Sequence, residues 1–394
     1  MSTPVAETWT PAAPPADYVL GHVRAVLPGR VLDNARIVVR DGRIAAVEPH
    51  PAGSGSDVDG QDLLCVPGLI DTHSDGLENE RMPRPSVEVP IEFAIQSFEG
   101  KLRAAGVTTV FHGVGFEERS VRARGKPRTV RQAEYVCQAL DAYEDGLLDH
   151  RILYRLDVRS AEGLAALCSR LDQAPDGALV SHEDHTPGQG QFTDLAEYTR
   201  WMIDQRGMTD DEAREHVDQT IANRDSLLNV RDEAFRWLAS RTGRIRVMGH
   251  DPGSAGEIAD LLERGGSIAE FPTTIEAAQA ARDHGMPVVM GAPNILRGRS
   301  QSGNVSGRDL LARGLVTGLA SDYLPSSLLA AAILLAEDGL ATLPAAIGLV
   351  TGGAADVAGL ADRGRLDPGL RADLVLVEPC RPWARVRAVL WGGR

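Results

Sequence analysis

The chain has 394 residues, enough for one large domain and a smaller one, and 43% of them are hydrophobic. Its formal net charge of −14 argues against an extended nucleic-acid-binding surface, although a local basic pocket is compatible with that charge. No stretch reaches the roughly 18–20 consecutive apolar residues of a membrane span, so we expect no membrane partner.

Both ends of the chain are typical of β structure. Residues 1–17 are rich in Pro, Ala and Thr and are expected to form a loose tail, whereas residues 18–49 are rich in β-formers. Asp41-Gly42 within them indicates a hairpin turn. Residues 372–377 and 386–393 are again β-like. We therefore predict one small β-sandwich domain built from both chain ends, residues 1–66 and 355–394.

Between these ends, short apolar runs alternate with helix-length segments. The runs predicted as strands are 62–70, 107–114, 151–158, 178–183, 244–249, 266–270, 286–290 and 315–320. Repeated strand–helix units of this number predict an α/β fold, a (β/α)8 TIM-like barrel over residues 67–354. The alternative fold is an open doubly wound sheet. That fold predicts a Gly-rich phosphate-binding loop after an early strand, and we find no such motif in the sequence. Residues 186–243 are long for one connection and are predicted to hold a helical insertion over the barrel mouth.

Histidines and acids lie where the predicted strands end, which is the edge where barrels carry their active sites. His73 and Asp75 are two residues apart, so in an extended chain they project to the same side. The other residues of this kind at strand ends are Asp157, Asp184, His185, His250, Asp251 and Asp322. Imidazole together with carboxylate suits Zn²⁺, Mn²⁺ or a similar divalent ion.

A divalent ion of this kind lowers the pKa of a bound water toward about 7, and a nearby carboxylate can then act as the general base. Asp322 is predicted for that role because it follows the last barrel strand. The alternative is that Asp322 caps the helix that begins near Ser326.

Two stretches after predicted strands are interpreted as binding loops for an anionic, phosphorylated small molecule. Residues 78–85 carry Arg81 and Arg84 beside two prolines, and residues 291–304 carry the residues Asn294, Arg297 and Asn304. Arginine matches phosphate oxygens bidentately. The alternative interpretation is two solvated loops.

The four cysteines show no CxxC spacing and lie in or beside apolar stretches, which is typical of free thiols in a reducing compartment. The N-terminus lacks a basic segment followed by an apolar run, so we expect no signal peptide and a cytoplasmic protein. Whether the chain forms a homo-oligomer is left open.

Several motifs resemble known proteins. Pro67-Gly-Leu-Ile-Asp-Thr-His73 resembles the first-strand motif of the amidohydrolase superfamily, in which a small β domain from both termini flanks the barrel. Other motifs are similar to the α-D-ribose 1-methylphosphonate 5-triphosphate diphosphatase family of the carbon–phosphorus lyase pathway. They are His73-Ser-Asp75-Gly, Pro83-Arg-Pro85, Asp184-His185-Thr-Pro-Gly-Gln, Ala269-Glu-Phe-Pro-Thr-Thr, Met290-Gly-Ala-Pro-Asn-Ile-Leu-Arg-Gly298, Ser302-Gly-Asn304 and Ser321-Asp322-Tyr.

The resemblance implies a metal-dependent hydrolase of phosphonate catabolism that cleaves a ribose 5-triphosphate to the 5-phosphate and pyrophosphate. It implies His73, Asp75, His185 and His250 as metal ligands, with Asp322 as ligand or base. The alternative within the superfamily is an amide hydrolase or deaminase acting on another anionic small molecule.

The number of metal ions is left open. Asp157 stands where the family has a glutamate and is one methylene shorter, so its role as a ligand is open too. Many superfamily members bridge two ions with a carboxylated lysine. The only lysines here are Lys101, in a predicted helix, and Lys126, in an Arg-rich loop, so neither is suited to that role.

Overall fold

The computed structural model describes residues 14–84, 87–118, 128–144, 146–184, 186–188, 194–300 and 303–393. Its strands form two separate sheets. The N-terminal strands are β1 (Tyr18–Leu27), β2 (Arg30–Arg40), β3 (Arg43–Pro49), β4 (Val58–Asp59) and β5 (Leu64–Pro67). The strands that follow are β6 (Leu69–Ser74), β7 (Val107–Phe116), β8 (Asp149–Asp157), β9 (Ala178–Glu183), β10 (Ile245–His250), β11 (Gly266–Glu270), β12 (Val288–Gly291), β13 (Gly318–Ala320), β14 (Leu374–Glu378) and β15 (Arg385–Leu390).

The end sheet is a seven-stranded mixed sheet in the order β15-β14-β5-β1-β2-β3, with β4 paired to β1. Strands β2 and β3 are antiparallel and meet at Asp41-Gly42. These two residues have φ values of 51° and 68°, as a type I′ hairpin turn requires. Strands from both chain ends therefore share one sheet, as predicted.

The remaining eight strands, β6 to β13, are parallel and follow one another in sequence order around a barrel. One apolar side chain from each strand fills its interior, which is the layered packing expected of such barrels. These residues are Ile70, Phe111, Leu153, Leu179, Met248, Ile268, Val289 and Ala320. The prediction of an eight-stranded barrel with a β unit from both chain ends is confirmed.

One predicted strand divides into two. Residues 62–70 were expected to form a single strand, but β5 belongs to the end sheet and β6 to the barrel. Gly68 lies between them, and its N–H donates to the carbonyl of Asp373 at 2.7 Å. A Cβ atom at Gly68 would lie 2.1 Å from Oγ1 of Thr108, so no larger residue fits this passage.

The helices lie between the barrel strands and after them. They are α1 (Gly76–Arg81), α2 (Ile91–Ala104), α3 (Val130–Asp141), α4 (Ala161–Leu171), α5 (Leu195–Arg206), α6 (Asp210–Arg224), α7 (Leu228–Ser240), α8 (Ala255–Glu263), α9 (Ile275–Asp283), α10 (Ala292–Arg297), α11 (Gly307–Ala312), α12 (Ser327–Glu337), α13 (Leu343–Leu349) and α14 (Gly352–Ala358). A short 3₁₀ turn, Asp225–Leu227, precedes α7. Among the described residues, none of the helices combines the length and apolarity needed to cross a bilayer.

The long connection between β9 and β10 contains helices α5, α6 and α7. Helices α5 and α6 pack through Tyr198, Met202, Ala213 and Val217. Helix α6 begins with a capping box, because Glu212 N donates to Thr209 Oγ1 and Thr209 N donates to the Glu212 carboxylate. The exact domain boundaries, and the position of this segment over the barrel mouth, stay predictions.

Candidate metal centre

The barrel closes through residues that the sequence placed in the site. Asp322 N donates to the carbonyl of His73 at 2.9 Å, and Asp75 N donates to the carbonyl of Asp322 at 2.7 Å. This backbone pairing brings together the ends of the first and last barrel strands. Ligand-type atoms of His73, Asp75 and Asp322 consequently lie within 4.8 Å of one another.

Asp71 also stabilises this contact between the first and last barrel strands. Its carboxylate accepts from Ser321 N at 2.9 Å and from the Ser321 hydroxyl. Both residues are fully buried. The carboxylate of Asp71 is therefore occupied between the two strands, and it positions Asp322 rather than contributing to the rim.

Glu270 orients the two histidines and was missed as a site residue. Its carboxylate oxygens lie 2.7 Å from Nδ1 of His73 and 2.7 Å from Nδ1 of His250, so each imidazole donates from Nδ1. Ser181 Oγ donates to the same carboxylate at 2.5 Å. Nε2 lies 3.6 Å from Asp75 Oδ1 in His73 and 3.4 Å from Asp251 Oδ2 in His250. With Nδ1 bound to Glu270, Nε2 is the nitrogen that could coordinate a metal, as in carboxylate–histidine–metal triads.

The electrostatics of this cluster call for positive charge. Burial acts to lower the pKa of His73, but the charge of Glu270 and the hydrogen bonds to Asp75 and Glu270 together outweigh it and raise that pKa to about 10. The pKa of His250 is likewise raised to about 9, against burial, by Asp251 and Glu270. Burial, together with Glu270 and Asp322, raises the pKa of Asp251 to about 6, although His250 opposes this. A proton or a metal ion can supply the missing charge.

Left-handed backbone shapes the rim beside these groups. Asp251, Phe271 and Asp322 have φ values of 54°, 54° and 55°. For a phenylalanine this conformation is uncommon and costs on the order of 1–3 kcal/mol. The ring of Phe271 lies 5.2 Å from the ring of His73 and 5.6 Å from that of His250, so the strained residue forms an apolar wall against both.

Asp75 also contacts an arginine that the sequence did not single out. Arg155 Nη1 donates to both oxygens of Asp75 at 2.7 Å, and its Nη2 donates to Glu183 at 2.6 Å. Arg128 lies behind this pair, 3.7 Å from Asp75, and binds Glu78 and Glu117. Two guanidinium groups thus contact four carboxylates at this part of the rim and offset two of their four negative charges.

Other predicted ligands lie differently. Asp157 is buried, and its Oδ1 accepts from Arg159 N at 2.9 Å, which is a local turn contact. Asp184 accepts from Thr186 N and from Arg159. Neither belongs to the two clusters of ligand-type atoms found among the described residues, and His185 lies outside those residues.

The first predicted binding loop is partly helical. Residues through Arg81 form helix α1, and the Arg81 side chain is buried and pairs with Glu88 at 2.9 Å. Arg84 is exposed, and its backbone bridges to Val87. The expectation of a loop at Arg81 is corrected, because Gly76 to Arg81 follows β6 directly as a turn of helix.

The second predicted binding loop also begins as a helix, α10, with Pro293 in its first turn and Gly298 at its left-handed C-cap. Asn294 has a structural contact, since its Oδ1 accepts from Gly307 N at 2.8 Å. Arg297 is exposed and, with Asn304, lines an open polar groove of about 610 Å³.

The alternation of side chains along β9 already indicates two residues that face the barrel interior. Ser181 and Glu183 are two residues apart on β9, so both face inward. The predicted pair Asp184-His185 lies one and two residues after Glu183. Glu270 was quoted within a motif and ends a predicted strand, but it has no histidine beside it.

The donor atoms fit a divalent metal ion. Imidazole nitrogens and carboxylate oxygens converge from strands β6 and β10 and from Asp322, in a buried place with surplus negative charge. Such a mixed set suits Zn²⁺ and similar ions.

Comparison with curated proteins gives one relative with high coverage. The chain is 35% identical over 363 residues to the α-D-ribose 1-methylphosphonate 5-triphosphate diphosphatase of Escherichia coli (strain K12), covering 91% of this chain and 94% of that protein. No family profile matches the chain.

Solved structures of similar fold include three enzymes. An enamidase described as a member of the amidohydrolase superfamily has a TM-score of 0.56 and 15% identity, covering 96% of this chain and 95% of its own. Dihydropyrimidinase from Brevibacillus agri has a TM-score of 0.58 and 13% identity, with 96% and 94% covered. A Xanthomonas campestris adenosine deaminase with bound zinc has a TM-score of 0.50 and 16% identity, with 95% and 92% covered. These likenesses show the fold.

Proposed function

Because the chain belongs to the α-D-ribose 1-methylphosphonate 5-triphosphate diphosphatase family, we propose that it cleaves this triphosphate to the 5-phosphate and pyrophosphate in phosphonate catabolism. The observation that carries the proposal is 35% identity across nearly the whole chain, combined with the buried histidine–carboxylate cluster at the barrel rim. We also propose a cytoplasmic location, which agrees with the four unpaired cysteines.

The metal, which we propose to be Zn²⁺ with Mn²⁺ as the alternative, would be held by Nε2 of His73 and His250 and by the carboxylates of Asp75 and Asp322. When bound, such an ion makes water more acidic and offsets charge that develops on phosphoryl oxygens. A contribution from His185 stays a prediction, because this residue lies outside the described part of the chain.

Asp322 is the proposed general base. Hydrogen bonds on both sides of the closure fix its backbone beside His73 and Asp75. Burial, together with the Asp75 carboxylate, raises the pKa of Asp322, although His73 opposes this, and a more basic carboxylate takes up a proton more readily. The water oxygen bonds to a phosphorus, its proton passes to Asp322, and the bond between phosphorus and the bridging oxygen breaks as pyrophosphate leaves.

The groove beside Arg297 and Asn304 is the proposed position for part of the polyphosphate chain. It is polar and open, and it follows strand β12, at the end of the barrel where phosphate groups commonly bind. Arg84, exposed after the first barrel strand, is a second candidate for phosphate contact. Arg81 and Asn294 would then support these segments rather than touch the substrate, since both have partners within the protein.

The proposal is tested with purified protein, stripped of metal and reloaded with Zn²⁺ or Mn²⁺, on the ribose triphosphate and a panel of amides and aminopurines. We expect metal-dependent release of pyrophosphate. His73→Ala should abolish this release while far-UV circular dichroism stays native, and Asp204→Asn, an exposed change on α5, should leave it intact. Release of ammonia, or amide cleavage without pyrophosphate, would instead establish the alternative activity.

A further inference from the structure

Arg155 lies between two acidic strand ends of the barrel. Its Nη1 donates to both oxygens of Asp75 at 2.7 Å, and its Nε and Nη2 donate to Oε2 of Glu183 at 3.1 and 2.6 Å. The side chains of Arg155 and Glu183 are 4% and 0% exposed, and that of Asp75 is 16% exposed. One buried guanidinium therefore joins carboxylates from β9 and from the end of β6.

A guanidinium suits this position because it is planar, permanently charged and able to donate in two directions at once. The two carboxylates are the groups that a second divalent ion would need at this part of the rim. Since Arg155 already contacts both, an additional cation there would meet its positive charge at close range in a poorly screened environment.

The kind of cationic partner distinguishes this region from the histidines. Asp75, Glu78, Glu117 and Glu183 share two arginines, Arg155 and Arg128. Glu270 contacts only Ser181 and the two imidazoles among the contacts that the structure describes, and an imidazole can exchange its proton for a metal. Each of these four carboxylates thus already has a guanidinium partner, whereas the partners of Glu270 include imidazoles that can exchange a proton for a metal ion.

We propose that Arg155 stands in for a second cation, so that the centre holds one divalent ion per chain rather than two. The inference rests on the metal site of the proposed function. Arg155 is a positioning residue in this scheme. It holds Asp75 in place for the single ion, and it occupies Glu183 so that this carboxylate does not bind a second ion.

The test measures metal content and metal–metal coupling, which do not depend on the substrate. Metal-free wild type, Arg155→Met and Arg159→Met are loaded with excess Mn²⁺ and desalted, and bound manganese per chain is measured by elemental mass spectrometry. Arg159→Met is the matched control, because Arg159 pairs with Asp184 and with neither Asp75 nor Glu183. Electron paramagnetic resonance then distinguishes an isolated ion from an exchange-coupled pair.

We expect one isolated ion in the wild type and in Arg159→Met, and two coupled ions in Arg155→Met. Two tightly bound ions in the wild type overturn the inference, and so does a folded Arg155→Met that still binds one. If that variant folds only with excess Mn²⁺ and then holds two ions, the inference is supported. If it does not fold even then, Arg155 serves stability rather than metal number, which also overturns the inference.

The pyrophosphate assay on the same samples separates this inference from the proposed function. If the wild type is active and holds two ions, only the inference of a single metal ion is overturned. If the wild type is inactive and holds one ion, only the proposed substrate is overturned.

Discussion

The two sides of the barrel rim pair their carboxylates with different cationic groups. On the histidine side, Glu270 holds His73 and His250 through Nδ1, and Asp322 lies beside them. On the arginine side, Arg155 and Arg128 bind the surrounding carboxylates, which are Asp75, Glu78, Glu117 and Glu183. An arginine keeps its proton at every accessible pH, whereas an imidazole can give its proton up to a metal. The type of cationic partner thus separates Glu78, Glu117 and Glu183, which bind only arginine among the contacts described above, from Glu270, whose partners can yield to a metal, and Asp75 lies at the boundary between the two sides.

The largest expected effect comes from removing the proposed base on the histidine side. Asp322→Asn keeps the shape of the side chain but cannot accept the proton, so we expect kcat for pyrophosphate release to fall by about 10²–10⁴-fold. Steady-state kinetics at saturating Zn²⁺ measures this, with Asp204→Asn as control. A loss of less than about threefold would remove Asp322 from the mechanism.

Glu270→Gln tests whether the histidine side is oriented by its shared carboxylate. Glutamine cannot accept from both imidazoles with a carboxylate's strength, so we expect Zn²⁺ affinity to fall by about 10–100-fold. Competition with a chromophoric chelator measures it. The matching change on the arginine side, Glu183→Gln, should weaken Zn²⁺ binding far less. Equal losses in both variants would contradict the division between the two sides.

His182, a half-buried residue of β9, shows what happens to a histidine ring without a hydrogen-bonded carboxylate among the described residues. Burial, followed by the charge of Arg264, lowers the pKa of His182 to about 4. Its Nε2 has no hydrogen-bond partner among the described residues. Below about pH 6.5, His182 is therefore protonated in the unfolded chain but stays neutral in the folded protein. The free energy of unfolding consequently falls as the pH drops from 6.5 toward 4.

In the metal-free protein, His182→Leu should remove this pH dependence. We expect the free energy of unfolding of the wild type, relative to the variant, to fall by up to about 3 kcal/mol between pH 6.5 and 4. Urea unfolding at several pH values measures it. Parallel pH profiles of wild type and variant would show that His182 is protonated as easily in the folded state as in the unfolded one.

The smallest effect is expected away from both sides, in the open groove. Arg297→Ala removes one exposed charge, so we expect KM for the triphosphate to rise several-fold, equivalent to about 1 kcal/mol, with kcat little changed. The effect should shrink at high salt, because exposed charges are screened. An unchanged KM at low salt would place the polyphosphate elsewhere.

The sequence sufficed for the barrel because its strands are buried on both faces and are read as short apolar runs between helices. It also predicted that His73, Asp75 and Asp322 lie close together, since closure of a barrel brings the first and last strands side by side. The sequence could not show which side chain or backbone group each acidic residue contacts. Asp75 and Asp157 look alike as acids at strand ends, yet one faces Arg155 and the other turns to the N–H of Arg159.

Strand boundaries caused the remaining differences. Since successive side chains on a strand face opposite sides, a shift of one residue exchanges the inward and outward sets. Glu183, which contacts Arg155, lies one residue before the predicted pair Asp184-His185, and the role of His185 stays a prediction. Arg155, two residues before Asp157 on β8, was overlooked because arginine inside a barrel is read as solvated unless its acidic partners, distant in sequence, are known.

Gly68, the single residue between β5 and β6, has a consequence for truncated variants of the protein. With Gly68 wedged against Thr108 and tied to the backbone of Asp373, the chain enters the barrel directly from the end sheet. A shortened protein that begins at the barrel would leave the strand of His73 with a free, fraying terminus and without its anchor at the opposite end of the polypeptide. Excising the terminal sheet should therefore disturb the catalytic rim by a mechanical route, although no atom of that sheet needs to touch the substrate.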